Sequence, residues 1–301
     1  MAAWLLKRLC GAVAVIVATV IITAAIGRWA VPGVDSRSFL AGVAHDTVRM
    51  LLHLDFGTSS TIPSRPRIHD VFAENWGPDL ALVLVGVPLG ALAGRWAGTY
   101  CAANPGALRT RALNLAATLW LCAPIYFVAY ALLLLFEPSF GRLPIPLFFE
   151  PGHYGPLLDE PWGWLQAMLV PWVLVAAPIG AAVLRVTTAD ARGRLDEPYV
   201  RTALAKGLSW GTVARRHAAR PGRAATAAFV GVNARVIMLN VILVENVFFV
   251  PGFLVKAQRA VGDKDLPMLQ GLAVWTAVLT GAIVLAADVA AYLLEPRTRA
   301  G

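Results

Sequence analysis

The sequence predicts an all-α integral membrane protein of about six transmembrane helices, on three observations. Of its 301 residues, 58% are hydrophobic and only 15% charged, where a soluble domain carries about 25% charged residues. Several apolar runs lack charge over lengths near the ~20 residues that a helix needs to cross hydrocarbon. Basic residues gather in the segments between those runs. This last pattern sets the meaning of the net charge of +8 and the pI of about 9.9. Without apolar runs they would suggest nucleic acid. Beside apolar runs they are the signal of membrane topology, with the lipid bilayer as partner and no nucleic acid.

The chain reads as a single transmembrane domain over 1–301. Lys7 and Arg8 precede the first apolar run, about 9–26, which places the N-terminus in the cytoplasm. The run continues past the length of a signal-peptide core, and no small-residue cleavage site ends it. An extracytoplasmic loop, 27–76, follows, with a helical pattern around Ser38–Leu54. The second and third spans, about 79–100 and 112–136, flank a short loop with Arg109 and Arg111. A proline-rich, acidic segment leads to the fourth span, about 162–184, opened by Trp162 and Trp164 as in an interfacial aromatic belt. The segment 185–223 holds nine Lys/Arg against three acids. The fifth span, about 224–250, an outside loop from Pro251 to Leu266, the sixth span, about 267–294, and a short basic tail complete the chain. Both termini and the most basic loops then fall on the cytoplasmic side.

Pro88, Pro124, Pro171 and Pro178 lie within spans, as kinks that either move during transport or stay fixed. Cys10, Cys101 and Cys122 fall in or at the ends of apolar runs, without CxxC spacing, and read as packing residues. The five histidines form no HExxH or other close ligand set, so no metal site is expected.

Within the basic segment, Leu195-Asp-Glu-Pro-Tyr-Val-Arg-Thr-Ala-Leu-Ala-Lys-Gly-Leu-Ser209 is too polar for lipid and too regular for a linker. Asp196 is suited to cap a helix, and Glu197 places negative charge on its first turn. Pro198 fits only near a helix start. Lys206 lies at the negative end of the dipole, and Gly207 is placed to stop the helix. Ser209 is suited to cap a second short helix carrying Arg215, Arg216 and His217. From these residues alone the segment is either a functional element or a loop that is basic only for topology.

Glu197-Pro-Tyr-Val-Arg-Thr-Ala-Leu-Ala-Lys-Gly-Leu-Ser209 resembles the cytoplasmic EAA loop of bacterial ABC importer permeases, those of the oligopeptide and dipeptide type, dipeptide-permease B-like. Asp55-Phe-Gly-Thr-Ser59, Ala123-Pro-Ile-Tyr-Phe127, Phe140-Gly-Arg-Leu-Pro144, Leu169-Val-Pro171, Arg216-His-Ala218, Val244-Glu-Asn-Val-Phe-Phe-Val-Pro-Gly-Phe253, Asp288 and Glu295-Pro-Arg297 are similar to that family in the same order. The chain departs from the pattern at Pro198, Leu204 and Arg235, and carries Pro32-Gly-Val-Asp35 where the family has Gly-Asp-Pro.

The resemblance implies a type I ABC importer permease fold with a cytoplasmic coupling helix. The function it implies is that of a peptide importer's membrane subunit, forming half of the pathway in a bacterial cytoplasmic membrane. Implied partners are a second homologous permease, two ATPase subunits or domains, and an extracytoplasmic substrate-binding protein. ATP and Mg would belong to the ATPases, with no cofactor and no catalytic residue on this chain, and no GxxxxGK[ST] loop occurs in it. The ATPase-coupling residues so implied are Glu197, Tyr199, Ala203, Lys206 and Gly207.

Intramembrane polar residues are costly and mark either a pathway or helix–helix contacts. Asn233, Arg235, Asn240 and Glu245 in the fifth span, and Asp288 in the sixth, stand in that position. On the pathway reading, Arg235 meets a peptide carboxylate and Glu245 its amine. Other readings are a permease for nickel or another small solute, and a secondary transporter. The latter calls for inverted halves with paired broken helices. A membrane enzyme needs a nucleophile–base set or metal cluster, and none is visible in the sequence.

Overall fold

The computed structural model describes residues 2–30, 36–136, 154–155 and 157–294. The helices are α1 (Ala2–Trp29), α2 (Ser36–His53), α3 (Ile68–Ala103), α4 (Leu108–Cys122), α5 (Ile125–Phe136), α6 (Pro161–Leu195), α7 (Pro198–Ala205), α8 (Trp210–Val213), α9 (Arg223–Val232), α10 (Ala234–Phe248), α11 (Phe253–Asp263) and α12 (Leu266–Leu294). A π-helical turn, Ala214–Ala218, continues α8. Among the described residues, four helices, α1, α3, α6 and α12, are long and apolar enough to cross a membrane. The bent pairs α4–α5 and α9–α10 raise that number to six if each is one span.

Two expected spans are therefore not straight. The third, expected over 112–136, bends by 106° between α4 and α5. Pro124 is the cause: it has no N–H and disfavours the helical region for the residue before it. Ala123 accordingly adopts φ −78°, ψ 129°. The fifth, expected over 224–250, bends by 61° at Asn233. Asn233 sits at φ −92°, ψ 7°, and its side-chain amide donates back to the Phe229 carbonyl at 2.8 Å. Pro171 and Pro178 lie inside the unbroken α6. α3 begins at Ile68 rather than near 79, and Pro251–Leu266, expected as a loop, contains α11. The stretches Pro32–Asp35, Phe140–Pro144 and Glu295–Arg297 lie outside the described residues.

The chain packs as two units. The first comprises Met1–Leu80 and Val250–Leu285. Val20 and Ala24 of α1, Met50 of α2 and Val274 of α12 form one of its clusters. Arg28 and Asp46 join α1 to α2 through two hydrogen bonds of 2.6 and 3.0 Å. A second cluster gathers Ile68, Val71, Phe253, Ala257, Ala260 and Met268. Phe72 makes edge contacts with Phe253 and Trp275, at centroid distances of 5.4 and 4.8 Å. α11 is amphipathic, burying Phe253, Leu254, Val255 and Ala257 while Lys256 and Arg259 stay exposed, and this is why a short, partly charged segment folds as a helix here.

Two carboxylates organise this unit. Asp79, fully buried in α3, accepts the Trp275 indole N–H at 2.6 Å and the Leu254 N–H at 3.4 Å. Asp265, just before α12, accepts the hydroxyls of Ser59 (2.5 Å) and Thr61 (2.9 Å) and the N–H of Ser60 (3.1 Å). The Asp55–Ser59 motif thus forms a turn: Gly57, at φ +87°, donates to Asp55, and Thr58 bridges Arg67. Burial raises the pKa of Asp265, but the bonds from Ser59, Thr61, Ser60 and Met268 outweigh it and hold this carboxyl below its ordinary value.

The second unit comprises Ala81–Phe249 and Ala286–Gly301. Its central feature is the close approach of α3 to α6. Gly86, Gly90, Gly94 and Gly98 recur every fourth residue of α3 and so share one face. A Cβ at Gly90 or Gly94 would collide with the carbonyls of Ala176 or Gly180, and one at Gly98 would lie 2.7 Å from the Leu184 carbonyl. In lipid, where apolar burial offers little between helices, such backbone proximity is a main source of association. The Thr188 hydroxyl reaches the Gly98 carbonyl across the same seam at 3.2 Å. At the other end of α6, the Trp172 indole donates to the Ala81 carbonyl at 3.0 Å. Trp164 packs edge-on against Trp172 and donates to the Tyr154 hydroxyl at 2.9 Å.

Candidate functional site: the segment from α6 to α9

α6 ends in a basic turn, with Arg194 held to the Asp190 carboxylate at 3.1 Å. The cap of α7 differs from expectation. Asp196 closes α6 with φ −84°, ψ −8°, and Glu197 occupies the N-cap position at φ −70°, ψ 147°. Pro198 decides this, because it is the first helical residue and forces an extended residue before it. Glu197 makes no side-chain cap bond, so its charge stays on the surface at the positive end of the helix.

α7 buries Val200 and Ala203 against Val213, with Leu195 and Leu204 packed around them. Glu197, Tyr199, Arg201, Thr202, Lys206 and Gly207 remain exposed. Four of the five expected coupling residues, Glu197, Tyr199, Lys206 and Gly207, thus present an outer surface, and Ala203 faces inward. Gly207 stops the helix with φ +82°. Its N–H reaches the Leu204 carbonyl at 2.9 Å, and the Leu208 N–H reaches Ala203 at 3.4 Å. That pair of bonds is the Schellman closure, which favours a left-handed residue without a Cβ.

Ser209 precedes α8 in an extended conformation, but its hydroxyl meets the Thr212 hydroxyl at 2.9 Å rather than capping a backbone N–H. Arg215, Arg216 and His217 lie in the π-helical turn. The Tyr199 hydroxyl donates to the His217 carbonyl at 3.3 Å, which links α7 to that turn.

Three further contacts attach the segment to the spanning helices. The Trp210 indole donates to the Ala103 carbonyl at the end of α3, at 2.7 Å. The Arg95 guanidinium of α3 donates to the Ala219 carbonyl at 2.7 Å. Ala102, Ala191 and Ala219 form a small buried cluster. Trp210, Arg95 and the glycine row were not among the expected site residues. The available signals were a large aromatic residue in a polar basic segment, a lone charge in an apolar run, and the four-residue glycine period.

The polar residues of the fifth and sixth spans differ in burial. Asn233 and Asn240 are half-buried, seven positions apart and so on one face of the helix. Arg235 is exposed, and Glu245 has none of its surface exposed. Asp288 of α12 is half-buried. At the end of α10, Phe249 takes a left-handed conformation (φ 55°) and returns its N–H to the Glu245 carbonyl.

Residues 86–300 match the family described as the binding-protein-dependent transport system inner membrane component. The chain belongs to this family. It is a multi-pass inner-membrane permease subunit with the type I ABC permease fold. The permease is 26% identical over 253 residues to a Brucella abortus (strain 2308) protein named for a peptide transport system permease, covering 83% of this chain and 77% of that one. It is 23% identical over 252 residues to a dipeptide transport system permease of Bacillus subtilis (strain 168), covering 84% and 77%. It is 26% identical over 268 residues to a di/tripeptide transport system permease of Pseudomonas aeruginosa (strain UCBPP-PA14), covering 84% and 79%. A permease of an ABC transport system works with ATPase and substrate-binding partners.

Proposed function

We propose that this permease forms half of the translocation pathway of an ATP-driven importer of dipeptides or oligopeptides, and that α7 is its coupling helix. The observation that carries the reading is the geometry of α7. It is a short helix with an exposed polar face, released by the Gly207 break and fastened behind by Trp210 and Arg95 to α3. Such a helix moves as one body, so a displacement imposed on its outer face passes to α3 and α6. Glu197, Tyr199, Lys206 and Gly207 offer that face to a groove on an ATPase, and Ala203 supports it from beneath. ATP and Mg are bound by the two ATPase subunits, and this chain hydrolyses nothing and holds no cofactor or metal. The segment 185–223 and both termini lie in the cytoplasm, as its basic character supports.

A second permease completes the pathway, and an extracytoplasmic binding protein delivers the peptide. The names of the relatives in three genera support peptide as cargo. Arg235, an exposed intramembrane cation, is suited to a peptide carboxylate, with Asn233, Asn240 and Asp288 as further polar groups of the route. Glu245, being enclosed, reaches a peptide amine only if α10 moves.

The test is uptake of labelled dipeptide and peptide-stimulated ATP hydrolysis by the assembled complex in liposomes. Glu197→Ala and Gly207→Asp should keep the ATPase subunits bound but lose stimulated hydrolysis. Normal uptake by both variants, or a complex that never contains an ATPase, overturns the coupling assignment. Stimulation by nickel and not by peptide overturns the cargo.

A further inference from the structure

We propose that the cleft between the last turns of α3 and the π-helical turn after α8 binds an anionic phospholipid of the cytoplasmic leaflet through its phosphate. The leaflet follows from the coupling-loop reading, on which this proposal rests. The cleft has a volume of about 430 Å³ and is lined by Arg95, Arg215 and Arg223 together with Leu92, Trp96 and Tyr100. Among the described residues, no acidic side chain lines it. Arg215 and Arg223 are exposed and make no ion pair with a described residue. The carboxylate behind the cleft is Asp190, beside Gly222; Arg194 engages both its oxygens, and its charge offsets part of that of Arg95, leaving Arg215 and Arg223. Arg95 spends one nitrogen on the Ala219 carbonyl at 2.7 Å and a second, at 3.5 Å, on the Thr226 hydroxyl, which fixes the rim.

Three guanidinium groups facing one space repel one another and are balanced by an anion. Phosphate, like carboxylate, matches their planar forks with paired hydrogen bonds, and its further oxygens serve more than one guanidinium at once. The apolar residues decide between a free phosphate and a lipid. Leu92 and Trp96 are four residues apart on a spanning helix and are 68% and 71% exposed. Trp96 stacks on Tyr100 at a centroid distance of 6.4 Å. A free phosphate makes no use of this surface. A phospholipid lays an acyl chain along Leu92 and Trp96 and sets its headgroup among the arginines, at the depth where aromatic belts and basic pockets occur. The bound lipid would brace the π-helical turn, and through it α7, against α3.

Native mass spectrometry of the complete complex, with phosphatidylglycerol or phosphatidylcholine added in equal amount, tests this. Wild type should retain phosphatidylglycerol in preference. Arg215→Gln with Arg223→Gln should weaken that binding about a hundredfold, roughly tenfold for each guanidinium removed, and leave phosphatidylcholine unchanged. Trp96→Ala should weaken both lipids. Equal retention of the two lipids by wild type overturns the proposal, and is the result expected if an acidic surface of the second permease fills the cleft. Displacement of phosphatidylglycerol by millimolar inorganic phosphate also overturns it, in favour of a free anion. If the double Gln variant does not assemble, Arg215→Lys with Arg223→Lys replaces it. The lysines keep the charge but lose the fork, so the phosphatidylglycerol preference should fall, and its full retention overturns the phosphate assignment. The same spectra record whether ATPase subunits are present, so failure of the coupling reading is seen separately from failure of the lipid site.

Discussion

The Trp210 indole N–H donates to the Ala103 carbonyl at 2.7 Å, joining residues 107 positions apart. That carbonyl belongs to the last turn of α3 and has no partner within its own helix. The bond therefore ends a spanning helix and anchors the segment that carries α7 and α8 at once. Trp210→Phe keeps most of the ring and removes the donor. It should cost about 1 kcal/mol of stability and lower peptide-stimulated ATP hydrolysis, with the ATPase still bound. Stimulated and basal rates of the reconstituted complex check this, and an unchanged stimulation would show that the anchor does not transmit motion.

The seam between α3 and α6 should tolerate no side chain at Gly94. A Cβ there meets the carbonyl and Cα of Gly180, both backbone atoms that cannot swing aside. Gly94→Ala should destabilise the permease by about 1–3 kcal/mol. Gly193, inside α6, has nothing within 4 Å of its virtual Cβ. Gly193→Ala should be neutral or stabilise by about 0.5–1 kcal/mol through its helix preference. Thermal unfolding in detergent gives both signs in one experiment.

Gly207 requires a left-handed backbone at φ +82°. Gly207→Ala should cost about 1–2 kcal/mol, and Gly207→Asn less, since asparagine is the usual second choice at this cap. Hydrogen exchange at Gly207 and Leu208, whose N–H groups close the cap, should accelerate in the order Gly, Asn, Ala. Equal protection in all three would mean that the cap contributes little to holding α7.

Asp265 makes stability depend on acid. Its pKa in the folded chain lies below the ordinary value, because the bonds from Ser59, Thr61, Ser60 and Met268 outweigh the effect of burial. A depressed carboxyl contributes stability that is fully present above its unfolded pKa, about 3.9, and is lost as pH falls through the folded value. The permease should therefore lose stability below about pH 4. Asp265→Asn should lower stability at neutral pH and flatten that acid dependence. Unfolding midpoints of wild type and Asp265→Asn between pH 3 and 7 decide it; parallel curves would remove Asp265 as the cause.

Much of the candidate site was legible locally. Pro198 and Gly207 fix where α7 starts and stops through their own backbone preferences, whatever surrounds them. The same holds for the break at Pro124. The break at Asn233 was not legible, since asparagine imposes no such restriction and its amide bends the chain only by reaching Phe229. α11 was hidden for a different reason. Its apolar face is short, Lys256 and Arg259 on the opposite face give the segment the composition of a loop, and the helix rests where Phe72, Ile68 and Met268 receive it.

The sequence by itself determined the class of the protein and the ends of α7, because charge-free length and the dihedral limits of proline and glycine are local properties. Tertiary structure alone decided that Ala203 faces inward while Glu197, Tyr199 and Lys206 face out. It also decided that Trp210 and Arg95 hold the segment to α3, and that Arg95, Arg215 and Arg223 share one cleft. In an apolar helix the faces turned to lipid and to protein are nearly equally hydrophobic, so hydrophobic periodicity does not distinguish them. Contacts between residues over a hundred positions apart are set by how the helices pack, which no local pattern encodes.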